Sequence, residues 1–256
     1  MISIVVLGAG NIGVNLCHAI NSSKNLKLVQ WYNRSPIKPD YILKKVSTTN
    51  DISKLVNADL YIIAVSDKAI KTISNSIKFS NRLVVHTSGC LSMHELNKKN
   101  RPGVLYPLQT ISKENLIDFV KVPMCIEAGL DLDKKKLKKV AYELLSPTFF
   151  VDCEQRKKLH LSAVFINNFS NQMFRIAHEL TDKKNLNFEI LKPLILETAI
   201  KVQKMTPYNA QTGPAVRGDK KTIKKHLNLL CDQPELKKIY EIITNSIQNT
   251  HDKRKL

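Results

Sequence analysis

The sequence predicts an α/β fold: a doubly wound parallel sheet over residues 1–152, followed by an all-α domain over residues 153–256. Three observations carry this. A β-branched run at the start flows into Gly8-Ala9-Gly10-Asn11-Ile12-Gly13 and then into a helical pattern. Apolar runs alternate with helical periodicity up to about residue 150. Beyond Cys153 only helical patterns occur.

The first strand is Ile2 to Leu7. The Gly-x-Gly-x-x-Gly that follows has the strand before it and the helix after it that a dinucleotide site requires. Gly8 makes the tight turn, Gly10 lets the backbone approach a pyrophosphate, and Gly13 lets the helix pack on the strand. The free N–H groups and positive dipole end of the helix suit phosphate. The second strand is Leu28 to Tyr32. An NAD site places Asp or Glu about 20 residues beyond the glycines. Here Asn33-Arg34-Ser35 stands there, and the next carboxylate is Asp40. Asn33 does not repel a 2′-phosphate, Arg34 meets one with forked donors, and Ser35 adds a hydroxyl. The expected cofactor is NADP(H).

Further strands are expected at Ala58–Val65, Leu83–Thr87, Gly103–Leu108, Val120–Glu127 and Thr148–Asp152, with helices at Lys68–Ile77 and Asp133–Leu145. The helical patterns of the second domain run over about 154–180, 188–205, 220–231 and 234–248. The first of these is apolar on most sides, as a buried helix is. It nevertheless carries His160, Asn167, Asn168, Asn171 and His178. At 100° per residue Asn167 and Asn171 fall within roughly 20° of His160, and His178 lies on the same line. Buried polar groups need partners, so the stripe either bonds to neighbouring helices or lines a substrate cleft. The segment Ala210 to Asp219 breaks the helices; there Thr212 and backbone N–H groups suit an anion, and Arg217 suits a carboxylate or Asp219.

Composition narrows the classes. The formal charge is +18, but the lysines are spread along the chain and not interleaved with aromatics. That argues against a nucleic-acid footprint while favouring anionic ligands in a cleft. The five cysteines are widely spaced without Cys-x-x-Cys, which implies no disulfide frame, no zinc or other metal site, and a reducing cytoplasm. No apolar run reaches membrane-spanning length, and the start lacks the basic region of a signal peptide. The last six residues are expected to fray.

Several segments together resemble a known family. They are the Gly-x-Gly-Asn-x-Gly at 8–13, Ile63-Ala64-Val65-Ser66-Asp67, His86-Thr87-Ser88-Gly89, Tyr106-Pro107-Leu108-Gln109-Thr110-Ile111-Ser112, His160-Leu161-Ser162-Ala163 through Asn167-Asn168, and Thr212-Gly213-Pro214-Ala215 with Arg217 and Asp219. The chain is similar to the bacterial family of Rossmann-like proteins with a C-terminal helical domain of unknown function, labelled short-subunit dehydrogenase-like oxidoreductases. That family is kin to pyrroline-5-carboxylate reductase, the deazaflavin-dependent NADP reductases and the 6-phosphogluconate dehydrogenase-like group. Ile111 departs from the pattern, which has an aromatic there.

The resemblance implies that Ala64-Val65-Ser66 passes the pyrophosphate and the nicotinamide ribose, and that Thr87-Ser88-Gly89 lies beside the nicotinamide. It also implies a helical domain of the 6-phosphogluconate dehydrogenase-like type that covers the carboxyl ends of the strands and forms a homodimer. The expected function is hydride transfer between NADP(H) and a small carbonyl or imine compound bearing a carboxylate. His160 is the expected proton donor or polariser and Asn167 orients the substrate. Asn168, Thr212 and Arg217 are expected substrate ligands. An alternative is a non-catalytic NADP(H)-binding or redox-sensing protein, since such a domain establishes binding and not turnover. A nucleic-acid-binding regulator is a third reading.

Overall fold

The computed structural model describes residues 1–37, 41, 43 and 46–252. Asp40 and the tail expected to fray, from residue 253 on, lie outside them. The chain divides into two compact units, Met1–Phe169 and Ser170–Leu256.

The first unit is an eight-stranded sheet with helices. Its elements are β1 (Ile2–Leu7), α1 (Asn11–Ser22), β2 (Leu26–Tyr32), β3 (Ser47–Thr49), β4 (Leu60–Ile63), α2 (Asp67–Ser76), β5 (Leu83–His86), β6 (Arg101–Pro107), β7 (Met124–Ala128), α3 (Asp131–Glu143), β8 (Thr148–Phe150) and α4 (Cys153–Ala163). The strand order is β3-β2-β1-β4-β5-β6-β7-β8. The first six strands of that order run parallel. Alternate residues of β1 enter different cores: Ile4 and Val6 pack with Leu16, Trp31 and Met124, while Val5 and Leu7 pack with Tyr61, Ile70 and Val84. Burial of both faces is why these strands read as continuous apolar runs.

One feature departs from the expected all-parallel sheet. β7 pairs antiparallel with β6, and β8 then follows β7 in parallel through α3. Parallel neighbours need a long crossover, usually a helix. The connection from β6 to β7 holds only a 3₁₀ turn at Phe119–Lys121, so the chain doubles back. That turn occupies the start of the strand expected over 120–127, because the Asp118 side chain caps the Val120 N–H at 3.1 Å.

The expected helix over 154–180 is three pieces: α4, a π-helical turn over Val164–Phe169, and α5 (Ser170–Asp182). It starts at a capping box. The Asp152 carboxylate accepts from the Gln155 N–H at 2.8 Å, and the Gln155 side chain accepts from the Asp152 N–H at 3.0 Å. The expected domain boundary falls at this cap, but α4 belongs to the compact sheet unit because its side chains are bonded into the sheet. Nor is the helix buried: among its described residues only Arg156 is. Leu161 is 58% exposed and Ile166 76%. Apolar periodicity records what a helix must cover, and this chain by itself does not cover it.

The second unit contains α5, α6 (Lys192–Lys204), α7 (Pro207–Ala210), α8 (Lys220–Leu229) and α9 (Pro234–Asp252). Among its described residues only Ala215, Leu230 and Thr244 are buried. Met173, Ile176, Leu180, Leu236, Ile239 and Ile243 line an apolar groove of about 260 Å³. No helix of the described residues is long and apolar enough to cross a membrane.

Candidate active site

The sheet reverses its strand order at β1, with β2 on one side and β4 on the other, and a cleft of about 390 Å³ opens at the carboxyl ends of these strands. Gly8, Ala9, Gly10, Asn11, Ile12, Asn33, Ala64, Val65 and Ser66 line it. Gly8 has φ +120°, and a Cβ there would stand 2.2 Å from the Ala64 carbonyl oxygen, so only glycine fits. The Trp31 indole N–H donates to the Gly8 carbonyl at 2.8 Å. Asn33 braces the loop: its Oδ1 accepts from the Ala9 N–H at 3.1 Å and its Nδ2 donates to the Ser35 carbonyl at 2.8 Å.

The cradle fits a pyrophosphate. Gly10 caps α1 without a side-chain bond and no acidic residue stands in the first turn, leaving the helix N–H groups to a ligand. Gly13 is buried under this loop, where a Cβ would meet the Gly8 carbonyl oxygen at 2.2 Å. Arg34 and Ser35 are exposed just beyond β2.

The next strand end holds the second half of the site. Ile63 of β4 pairs with His86 of β5, and the Thr87 N–H donates to the Ile63 carbonyl at 3.3 Å. The two strand ends are therefore about 4.8 Å apart. Thr87 and Ser88 are buried, and Ser88 is fully used by the fold. Its hydroxyl donates to Asp67 at 3.0 Å and accepts from the N–H groups of Cys90 and Leu91 at 3.1 Å each. The Ser88 N–H donates to His86 Nδ1 at 3.1 Å, which places the His86 proton on Nε2, facing the Ser92 carbonyl at 3.3 Å. Burial lowers the His86 pKa to about 4, so the ring is neutral at pH 7. Ser88 thus shapes the turn that presents Gly89.

α4 brings His160 to this turn. The buried Arg156 guanidinium donates to the Glu127 carboxylate on β7 and to the Leu91 carbonyl, clamping the helix onto the sheet. His160 lies one turn further along the same helix face. Its Nδ1 is 2.9 Å from the Tyr106 hydroxyl at the end of β6. A Cβ on Gly89 would lie 2.8 Å from His160 Cγ, so the imidazole rests directly on the glycine. His160, Asn167 and Asn168 line a second cleft of about 420 Å³ with Tyr106, Gln109 and Thr110.

The polar stripe expected from helical spacing is thus split. The π turn's longer hydrogen-bonded rings end the 100° rule before Asn171. Asn171 and His178 belong to α5 in the other unit; both are exposed, and His178 meets Phe188 edge-on at 4.9 Å. Thr212 and Arg217 also lie in the second unit. Thr212 borders its apolar groove, and Arg217 is exposed near Asp219, which caps α8 by accepting from the Thr222 N–H at 3.0 Å. Arg156, His86 and the Tyr106–His160 bond were not singled out from the sequence, although Tyr106 stands in one of the motifs that carried the resemblance.

The chain belongs to the family described as a domain of unknown function, DUF2520, whose profile matches residues 122–247. A Bacteroides fragilis protein provisionally named an NADP oxidoreductase is 39% identical, with 97% of this chain and 98% of that one covered and a TM-score of 0.86. A Plasmodium falciparum pyrroline carboxylate reductase with NADP bound shares the fold at 14% identity, covering 98% of each chain with a TM-score of 0.63. An imine reductase from a Pseudomonas species does so at 16% identity over 79% of this chain and 75% of that one, with a TM-score of 0.61. Among curated proteins none matches.

Proposed function

We propose that this protein is an NADP(H)-dependent oxidoreductase acting on a small carbonyl or imine compound. A single observation carries the reading: the phosphate cradle at the ends of β1, β2 and β4 and the His160 cleft at the end of β6 open along the same edge of the parallel part of one sheet, with β5 between them. The Bacteroides fragilis protein provisionally named an NADP oxidoreductase, similar over nearly its whole length, supports the same cofactor and reaction type. When bound, the reduced nicotinamide supplies a hydride. The loop around Gly10 and the α1 N-terminus hold the pyrophosphate, Arg34 and Ser35 hold the 2′-phosphate, and Gly89 leaves room for the His160 imidazole beside the nicotinamide. His160 supplies the proton and Asn167 orients the substrate. Among the described residues lining the cleft there is no Lys or Arg to pair with a substrate carboxylate. Its carboxamides and hydroxyls suit an uncharged polar substrate instead.

The exposed apolar residues of the helical unit and of the π turn support a homodimer, since a lone chain leaves them in water. Five free cysteines suit a reducing compartment such as the cytoplasm. The test of the function is oxidation of NADPH and of NADH against a panel of small aldehydes, ketones and cyclic imines. Substrate-dependent loss of NADPH absorbance, faster than that of NADH, is expected. Binding of NADPH without turnover of any panel member points to the non-catalytic alternative. Sedimentation velocity at micromolar concentration is expected to give a dimer, and a monomer overturns that part.

A further inference from the structure

We infer that Tyr106 holds His160 as a hydrogen-bond donor at Nε2, so that the cleft takes a substrate whose reducible group is an acceptor: a carbonyl or an uncharged imine, and not an iminium ion. The inference rests on the reading of His160 as proton donor.

The geometry leaves the imidazole little freedom. Nδ1 is 2.9 Å from the Tyr106 hydroxyl, and the two rings meet edge-on with centroids 6.0 Å apart and planes at 71°. Gly89 forms the floor beneath both: a Cβ there would lie 2.8 Å from His160 Nδ1 and 2.9 Å from Tyr106 Cζ. Among the described residues Nε2 has no protein partner, which leaves it for a ligand in the cleft.

A phenol both donates and accepts, but among the described residues the Tyr106 hydroxyl has no acceptor other than Nδ1, so while the ring is neutral its proton goes there. With a neutral ring the hydroxyl donates to Nδ1, and the ring proton sits on Nε2. With a protonated ring Nδ1–H donates to the phenol oxygen, and Nε2 again carries a proton. Tyr106 remains a phenol throughout, because burial pushes its pKa up to about 12. Before hydride transfer Nε2 is therefore a donor in both charge states.

A donor suits a carbonyl oxygen, whose lone pairs accept. In the reduction, the carbonyl carbon takes the hydride from the reduced nicotinamide, and the π pair of the C=O bond moves to oxygen. The oxygen takes the Nε2 proton of the imidazolium, which leaves the ring protonated on Nδ1 alone, and solvent then returns a proton to Nε2. An iminium nitrogen has no lone pair to accept the bond, and its reduction to an amine needs no proton. Among the described residues lining the cleft there is also no Asp or Glu to hold such a cation. Gln109, Asn167 and Asn168 provide neutral amide groups instead.

The test is nitrogen NMR on the full chain, labelled at histidine and loaded with NADP⁺. At every pH at which the fold persists, His160 should keep its proton on Nε2. Tyr106→Phe and Gly89→Ala, which break the same bond from opposite sides, should each let the Nδ1–H tautomer appear. An Nδ1–H tautomer in the unaltered protein overturns the inference, as does no change in either variant. Cyclopentanone should move the Nε2–H proton resonance downfield, and pyrrolidinium, a cation of the same ring size, should not. No response to cyclopentanone, or an equal response to both, overturns the choice of substrate class. Full turnover in His160→Gln sinks the proton-donor reading and leaves the tautomer result standing. An Nδ1–H tautomer alongside lost turnover in that variant sinks this inference alone.

Discussion

The two clefts of the sheet unit are built by opposite means. The glycine-loop cleft is made of backbone: a glycine at positive φ, a helix N-terminus and the ends of β1, β2 and β4, with Asn33 and Trp31 as bracing side chains. The His160 cleft is made of side chains. Its imidazole hangs from a helix that the Arg156–Glu127 pair clamps to the sheet, and its phenol comes from a strand 54 residues earlier. A backbone-built site is fixed once the sheet forms. A side-chain site depends on every contact that aims its helix. Perturbing the first should abolish binding, and perturbing the second should slow chemistry while binding persists.

The largest expected effect is at Gly10. Its backbone, at φ −78° and ψ −173°, is open to any residue, and nothing lies within 4 Å of a Cβ built on it. The fold does not require glycine there; a bound pyrophosphate does. Gly10→Val should abolish NADPH binding in fluorescence titration while costing no more than about 1 kcal/mol of stability from the altered cap. Tight NADPH binding by this variant removes the loop from the phosphate site.

The side-chain cleft should answer differently. His160→Gln should lower kcat by about 10²–10⁴-fold, the share of a general acid, with NADPH affinity unchanged. Unaltered kcat, or a loss confined to cofactor binding, erases the distinction between the clefts. The smallest effect concerns the rim of the first cleft. Arg34→Ala should weaken NADPH by about 1.5–3 kcal/mol, roughly 10- to 150-fold, and barely change NADH. Equal affinities of the unaltered protein for the two dinucleotides in titration calorimetry contradict the assignment of Arg34 and Ser35 to a 2′-phosphate.

The same contrast governs what the sequence reveals. Glycine spacing and strand periodicity are local, so β1, α1, β2, β4 and β5 and the lining of the first cleft were legible. Strand direction is not local. The apolar residues of β7 read alike either way, and only the helix-poor connection before it turns the strand around. β3 is three residues long and too short for a pattern. In the helix after Asp152, identity was readable and geometry was not. His160, Asn167 and Asn168 do line one cleft, but the π turn cannot be foreseen from a 100° spacing, and it separates Asn171 from the stripe. Partners distant in sequence, such as Arg156 with Glu127 or Tyr106 with His160, leave no periodic trace.

The central claim is that the backbone cradle delivers a nicotinamide to the His160 cleft. A crystal structure of the full chain with NADP⁺ tests it most directly. The pyrophosphate should lie on the N–H groups at Gly10 and Asn11, the nicotinamide beside Gly89, and His160 on the same side of α4 as the nicotinamide C4. A pyrophosphate in the cradle with the nicotinamide turned away from Gly89, or with His160 on the far side of its helix, contradicts it.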